Sequence, residues 1–342
     1  MEVDSRPREP LRVEQLWFED GNLVLQAGNC QFRLHRGILA ARSPVQDMLS
    51  FPQPPESELV EGCPLVRLPD AETEVRYFLK AIFIPEYFPA FPAPTNFSII
   101  VGCLRLGHKY EVDYLRRRAL IHLSSQYRTT LSEHDSRIYA GSPNIPPSRV
   151  MSWLFPTTPT FTISVIQLAR EVGVLWVLPF AFYDLSTSFN MPLDSHGGTI
   201  GREIFHGAFY NGVSTSLCVQ DQDSFLTGHV NHTRAAVDIT RFLLDPPEIH
   251  GCTSRTHCLG VRVKAVNAAS SMLQRYCNAP LDIWEEDDWS HLHDLCPICL
   301  AALKRIHAEA RETLWGELPT MYGLPPWEEL EKMKVAAIGN SM

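Results

Sequence analysis

The 342-residue sequence predicts an α+β protein, with a small N-terminal sheet and helical hairpins followed by a mainly α-helical C-terminal region. Three observations carry that expectation. Between Leu23 and Leu49 the apolar period changes from two to about 3.6. A short strand-like run, Pro64 to Asp70, leads into segments of helical period, and beyond residue 160 the apolar patterns are helical.

In the first segment Leu23, Leu25 and Ala27 alternate with other residues, Gly28-Asn29 suits a tight turn, and Phe32 and Leu34 resume the alternation, which predicts a β-hairpin. Ile38, Leu39 and Arg42 then fall at helical spacing, and Ser43-Pro44 offers an N-cap and N1 proline for another short helix. Val75, Phe78, Leu79 and Ile82 form one apolar helical face behind acidic residues, which suit a helix N-terminus. Phe97, Ile100, Val101 and Leu104 repeat the spacing, and a Leu106–Val112 corner leads to a helix carrying Leu115, Ala119 and Leu123.

The run FEDGNLVLQAGNCQFRLHRGILAARSPVQDML, followed by VRLPD, a helix and LRLGHKYEVDYL, resembles a BTB/POZ domain over roughly Leu16 to Tyr127. The resemblance implies a protein-interaction domain without a catalytic centre. Members serve as adaptors of cullin ubiquitin ligases, as transcription regulators or as channel assembly domains, so fold alone does not fix function. Cullin-binding members commonly carry a hydrophobic-x-acid motif before the Lys-Tyr corner; here Asn96 to Val101 holds no acid, and Ile84-Pro85-Glu86 lies earlier, which speaks against a cullin role. The short N-terminal tail leaves homodimerisation by an exchanged segment open. The resulting organisation is a tail (1–15), a BTB/POZ-like domain (16–130), a Pro/Ser-rich connection (131–160) and a mainly helical extension (161–342).

A 45% apolar composition suffices for a large core, and a formal charge of −9 argues against a protein whose main task is to grip phosphate backbones. The only tight basic run, Arg116-Arg117-Arg118, reads as a solvated helix face. No apolar leader follows Met1, and the longest nearly apolar run, Val172 to Tyr183, is too short to span a bilayer, so the expectation is a soluble protein of the cytoplasm or nucleus. In such a compartment the sequons at Asn96 and Asn231 are chance matches and the nine cysteines stay reduced.

In the extension, prolines between Ser132 and Phe161 forbid long helices and suggest an extended connection. Ile163 to Leu178 reads as one buried helix that Pro179 ends or kinks, and LAREVGVLWVLPFAFYDL resembles the helical extension after fungal BTB domains. Ser186 to His232, with Gly197-Gly198-Thr199-Ile200-Gly201-Arg202, reads as surface loop, since it lacks the Lys-Ser/Thr of a P-loop. Ala235, Ile239, Phe242 and Leu243 predict one helix, and Val266, Ala269, Leu273 and Tyr276 another. The tail, with Trp315, Leu318, Tyr322 and Trp327, resembles a recurrent ending of fungal BTB proteins and is expected to pack onto the domain, Glu328-Glu329 opening its last helix.

One constellation carries chemistry. Cys252-x5-Cys258 and Cys296-Pro297-Ile298-Cys299 are two thiol pairs able to converge on one tetrahedral structural zinc. His250, His257, His291 and His293 are alternative ligands, and plain packing of reduced thiols is the competing reading. A thioredoxin-like pair would follow a buried strand, whereas Glu285 to Asp294 is acidic and rich in Trp and His. A closed zinc site has no position for water, and no Ser/His/Asp order, HExxH or nucleotide fingerprint points to an enzyme. Two function classes follow: a non-enzymatic interaction module, or a regulator contacting nucleic acid near Arg255, Arg262 and Lys264.

Overall fold

The computed structural model describes residues 9–42, 58–138, 158–188, 200–246 and 248–339. The chain is α+β, a small N-terminal sheet followed by helices. It divides into two compact units, the first taking the described residues up to 126 and those from 337, the second those from 127 to 336. The Ser43-Pro44 cap and most of the Pro/Ser-rich and Gly-rich stretches lie outside the described residues.

In the first unit, β1 (Leu11–Trp17), β2 (Leu23–Ala27), β3 (Cys30–Leu34), β4 (Leu59–Val60) and β5 (Cys63–Leu68) form one sheet in the order β1-β3-β2-β5-β4. The hairpin β2–β3 pairs Leu25 with Phe32, and β5 lies parallel to β2 with Val66 opposite Leu25. Of the two turn residues only Gly28 takes positive φ, at 54°. Leu23, Val24, Leu25 and Ala27 are all buried, because β2 is flanked on both sides and covered on both faces. A central strand therefore carries more apolar residues than simple alternation requires.

Residues 11–15, read from sequence as tail, belong to β1, which runs parallel to β3. Only Leu16 of that strand is buried, so its sequence carries no clear alternation. Pairing with β3 supplies what periodicity does not, including the Leu11 N–H that donates to the Asn29 carbonyl at 2.7 Å.

Helices α1 (Arg36–Arg42), α2 (Glu72–Phe83), α3 (Phe97–Lys109) and α4 (Asp113–Ser124) complete the unit. Val75, Phe78 and Leu79 of α2, Phe97, Ile100 and Leu104 of α3, and Leu115, Ala119 and Leu123 of α4 are buried, each of them except the small Ala119 contributing roughly 1.5–3 kcal/mol. Asn96 caps α3 by accepting the Ile99 N–H at 3.0 Å. At the corner after α3, Lys109 and the Tyr110 hydroxyl both donate to Asp70. The arginine triplet is not simply solvated: Arg117 donates to the Ile338 carbonyl and Arg118 to that of Phe88.

The second unit comprises α5 (Leu131–Ile138), α6 (Pro159–Glu171), α7 (Leu178–Ser188), α8 (Ile200–His206), the small ladder β6 (Ala208–Tyr210) and β7 (Val213–Thr215), then α9 (Val219–Leu244), α10 (Arg255–Tyr276), α11 (Pro297–Met321) and all but the last two residues of α12 (Trp327–Ile338). Three expectations change. Residues 131–138 form a helix and not an extended connection, since the first proline of that stretch is Pro143. The single helix expected over 163–178 is broken after α6 at Gly173, and Pro179 lies in the first turn of α7, where a missing N–H costs nothing. Helix α9 begins at Val219, well inside the stretch read as loop.

That last difference has a tertiary cause. Gly228, His229, Asn231 and His232 are weak helix formers, but the buried Tyr322 ring lies directly on Gly228, where a Cβ would come within 1.9 Å of Cε1. Tyr322 Oη hydrogen-bonds His232 Nε2 at 2.7 Å, and His232 Nδ1 donates to the Asn278 carbonyl at 2.9 Å. The expected tail contacts are present: Trp315, Leu318 and Tyr322 are buried, and Trp327 stacks on Trp315 with centroids 5.5 Å apart. Among the described residues no helix is long and apolar enough to cross a membrane.

Candidate metal centre

The four cysteines come from two helix starts. Cys252 follows Gly251, whose φ of 85° turns the chain after α9, and Cys258 sits in the first turn of α10. Helix α10 buries Cys258, Val261, Ala265 and Ala269, a seam offset from the one expected through Val266 and Leu273. Cys296 is the N-cap of α11, Pro297 takes the first helical position, and Cys299 lies three residues in. The Cys296 sulfur accepts the Cys299 N–H at 3.5 Å, and the Cys258 sulfur accepts the Cys296 N–H at 3.5 Å.

The sulfurs of Cys252, Cys258, Cys296 and Cys299 all lie within 4.8 Å of one another and could hold a metal ion. Cys258 and Cys299 are buried, Cys252 and Cys296 half-buried. Backbone N–H groups of Cys299 and Thr253 favour the Cys296 thiolate and lower its pKa to about 6. Burial pushes the Cys258 and Cys299 thiols up, the neighbouring thiols adding to the effect at Cys299. The surroundings therefore favour the thiolate at Cys296 and oppose it at Cys258 and Cys299, where a bound cation would reverse the balance.

No histidine joins this group among the described residues. His257 Nε2 meets the Asp294 carbonyl at 3.1 Å, and His293 Nδ1 meets that of Ser290 at 2.6 Å. All nine cysteines are unbridged, and the other five lie outside the group.

No family model, curated protein or solved structure matches this chain.

Beside the thiols lies a cavity of about 260 Å³, lined by Cys252, Cys258, Cys299, Leu259, Arg255 and Arg262 among others. Arg255 is paired with Glu248 at 3.3 Å, both largely exposed. Two guanidinium groups near four thiols offset the negative charge that bound thiolates would carry. Spacing singles out all four cysteines, but nothing in the sequence marks this cavity, because its walls come from two separated segments, 246–262 and 295–303.

Proposed function

We propose that this protein is a non-enzymatic protein-interaction module of BTB/POZ type, whose C-terminal helical unit is braced by one structural zinc ion on Cys252, Cys258, Cys296 and Cys299. The observation that carries the interaction reading is the order of the first unit. A hairpin, a helix, a third strand parallel to β2 and a pair of helices joined at a Lys109-Tyr110 corner succeed one another as the resemblance implies.

The zinc reading rests on distances and ligand chemistry. Tetrahedral zinc with Zn–S bonds of about 2.3 Å needs sulfurs about 3.8 Å apart, and the observed spread, at most 4.8 Å, closes to that with small side-chain rotations. Thiolate ligands suit zinc, and four of them leave no position for a reactive water. The site would then tie the starts of α10 and α11 together and contribute folding energy directly.

Two measurements test the two parts. Elemental analysis of protein purified under reduction is expected to give one zinc per chain, falling to none in Cys296→Ser; metal-free wild-type protein that stays folded sinks the zinc reading. Light scattering across the micromolar range, with affinity capture by the full chain, addresses the interaction role. A strict monomer that captures no partner overturns it. Arg255 and Arg262 favour a second reading, contact with nucleic acid, which requires duplex DNA binding that weakens steeply with salt.

A further inference from the structure

A second pocket in the C-terminal unit, of about 250 Å³, is built from aromatic rings and carboxylates, away from the cysteines. Trp284 and Trp289 form a corner, their ring centroids 6.0 Å apart and their planes at 83°. His307 closes on Trp289 nearly edge-on at 5.5 Å. Glu285, Glu286 and, from α5, Asp135 line the same space.

The charges in the pocket do not balance. Arg311 is committed to Asp135 by two hydrogen bonds of 3.0 and 2.7 Å. Lys304 pairs with Glu286 at 3.2 Å, and its ammonium lies 5.2 Å from the centre of the Trp289 ring. Among the described residues Glu285 has no ion-pair partner; its carboxylate accepts the Asp288 backbone N–H in a capping box. Glu285 is thus the exposed carboxylate of the three that makes no ion pair, Arg311 acting on it only through space, and an ammonium of the chain itself already lies over the Trp289 ring.

Trp284 is held in place at a cost. Its φ is 66°, a left-handed conformation that a bulky side chain adopts at about 1–3 kcal/mol, and it is 2% exposed. The space is smaller than the roughly 300–1,000 Å³ of ordinary small-molecule clefts, so it suits a head group and not a whole metabolite. Because the capping box already engages the Glu285 carboxylate, a cation that needs no hydrogen bonds fits better than a primary ammonium.

We propose that this pocket binds the head of a quaternary or methylated ammonium ligand, seated over the Trp289 ring in place of the Lys304 ammonium, with the edge of Trp284 behind it and Glu285 as counter-charge. Such a head is carried by choline-like small molecules and by methylated lysine side chains, and the experiment separates the two.

Full-length protein is titrated with tetramethylammonium, choline, a trimethyllysine peptide and 3,3-dimethyl-1-butanol, the neutral isostere of choline, following tryptophan fluorescence and calorimetry. Tetramethylammonium and choline are expected to saturate, with the isostere at least tenfold weaker. Trimethyllysine peptide binding at least tenfold tighter than choline assigns the head to a modified protein; equal or weaker binding assigns it to a small molecule. Trp289→Ala is expected to weaken binding at least tenfold, and Glu285→Gln, which keeps the cap acceptor, several-fold with an unchanged circular dichroism spectrum. Absence of saturable binding, an isostere equal to choline, or a change of less than twofold in Glu285→Gln overturns the proposal, and the last decides the matter should Trp289→Ala fail to fold.

Discussion

The first unit buries mostly apolar side chains, from Leu25 and Phe32 in the sheet to Leu104 and Leu123 in the helices, and its buried polar groups gather in two places, Gln31 in β3 and His122, Ser124, Ser125 and Gln126 at the end of α4. The second buries polar groups throughout its length: Thr162, Ser186, Asp221, His232, Thr240, Asn278, His307 and Lys334. These need named partners, as Arg170 supplies to Asp221 at 2.7 Å and the Thr129 hydroxyl to Lys334 at 3.0 Å. A core of the first kind depends on shape and volume. One of the second kind depends on protonation, hydrogen bonding and, in the zinc reading, on metal.

The widest separation of the two units is expected on metal removal. Structural zinc supplies about 10–16 kcal/mol of apparent binding energy in small metal domains, so a strong chelator should strip hydrogen-exchange protection from the first turns of α10 and α11. Helices α3 and α4 should keep theirs, because no thiol of the group belongs to them. Equal loss in both units, or none in α10 and α11, breaks the comparison.

Within the second unit, Gly228→Ala is expected to cost about 3 kcal/mol, near the upper end of overpacking penalties. The new methyl meets a Tyr322 ring fixed by stacking on Phe182 at 5.0 Å and by its bond to His232, so neither side yields cheaply. Gly316→Ala in α11 is the control: nothing lies within 4 Å of the added atom, and helix propensity predicts a gain of about 0.5–1 kcal/mol. Thermal denaturation of the two variants should therefore move in opposite directions.

These contacts also explain what could be read in advance. Periodicity alone places α2, α3 and α4, since Phe78, Leu104 and Leu123 fall on faces that a 3.6-residue period defines. It fails for β1, where a single buried Leu16 leaves no pattern, and for the start of α9, where Gly228 and His232 oppose a helix until Tyr322 covers them. Cysteine spacing picked out the thiol group because few residue types share that chemistry. The Trp284–Trp289 corner is not legible there, since the sequence shows two tryptophans among acids and the pocket exists only once α5 and α11 contribute Asp135, Lys304 and His307.

Acid should act on the polar core. Burial lowers both His232 and His307 to about 4, below the ordinary 6.5, so the unfolded chain binds their protons first. Their contribution is complete above about pH 6.5 and lost as pH falls towards 4. Asp282, raised by burial to about 6, works the other way: its protonated form is favoured in the folded state, so it gains stability as pH falls from 7 to 5. Together the three predict a loss on the order of 2 kcal/mol between pH 7 and pH 5. Urea denaturation at both values measures it, and His232→Gln, which preserves a donor and an acceptor, should flatten the dependence.

The smallest expected effect sharpens the reading of the apolar unit. Gly28 and Gly62 both turn the sheet with positive φ, 54° and 78°, so alanine at either position carries the left-handed penalty of about 1 kcal/mol. They differ in surroundings. A Cβ on Gly28 would come 2.9 Å from Glu72 Oε2, whereas nothing lies within 4 Å of one on Gly62. Glu72 can swing aside because it is the far end of a flexible side chain, but it then gives up the Asn29 N–H it accepts at 3.1 Å. Gly28→Ala should therefore cost more than Gly62→Ala by about 0.5–1 kcal/mol, the net worth of one hydrogen bond. In a Glu72→Ala background the two substitutions should become equal; a difference that persists there would place the cost in the turn backbone instead.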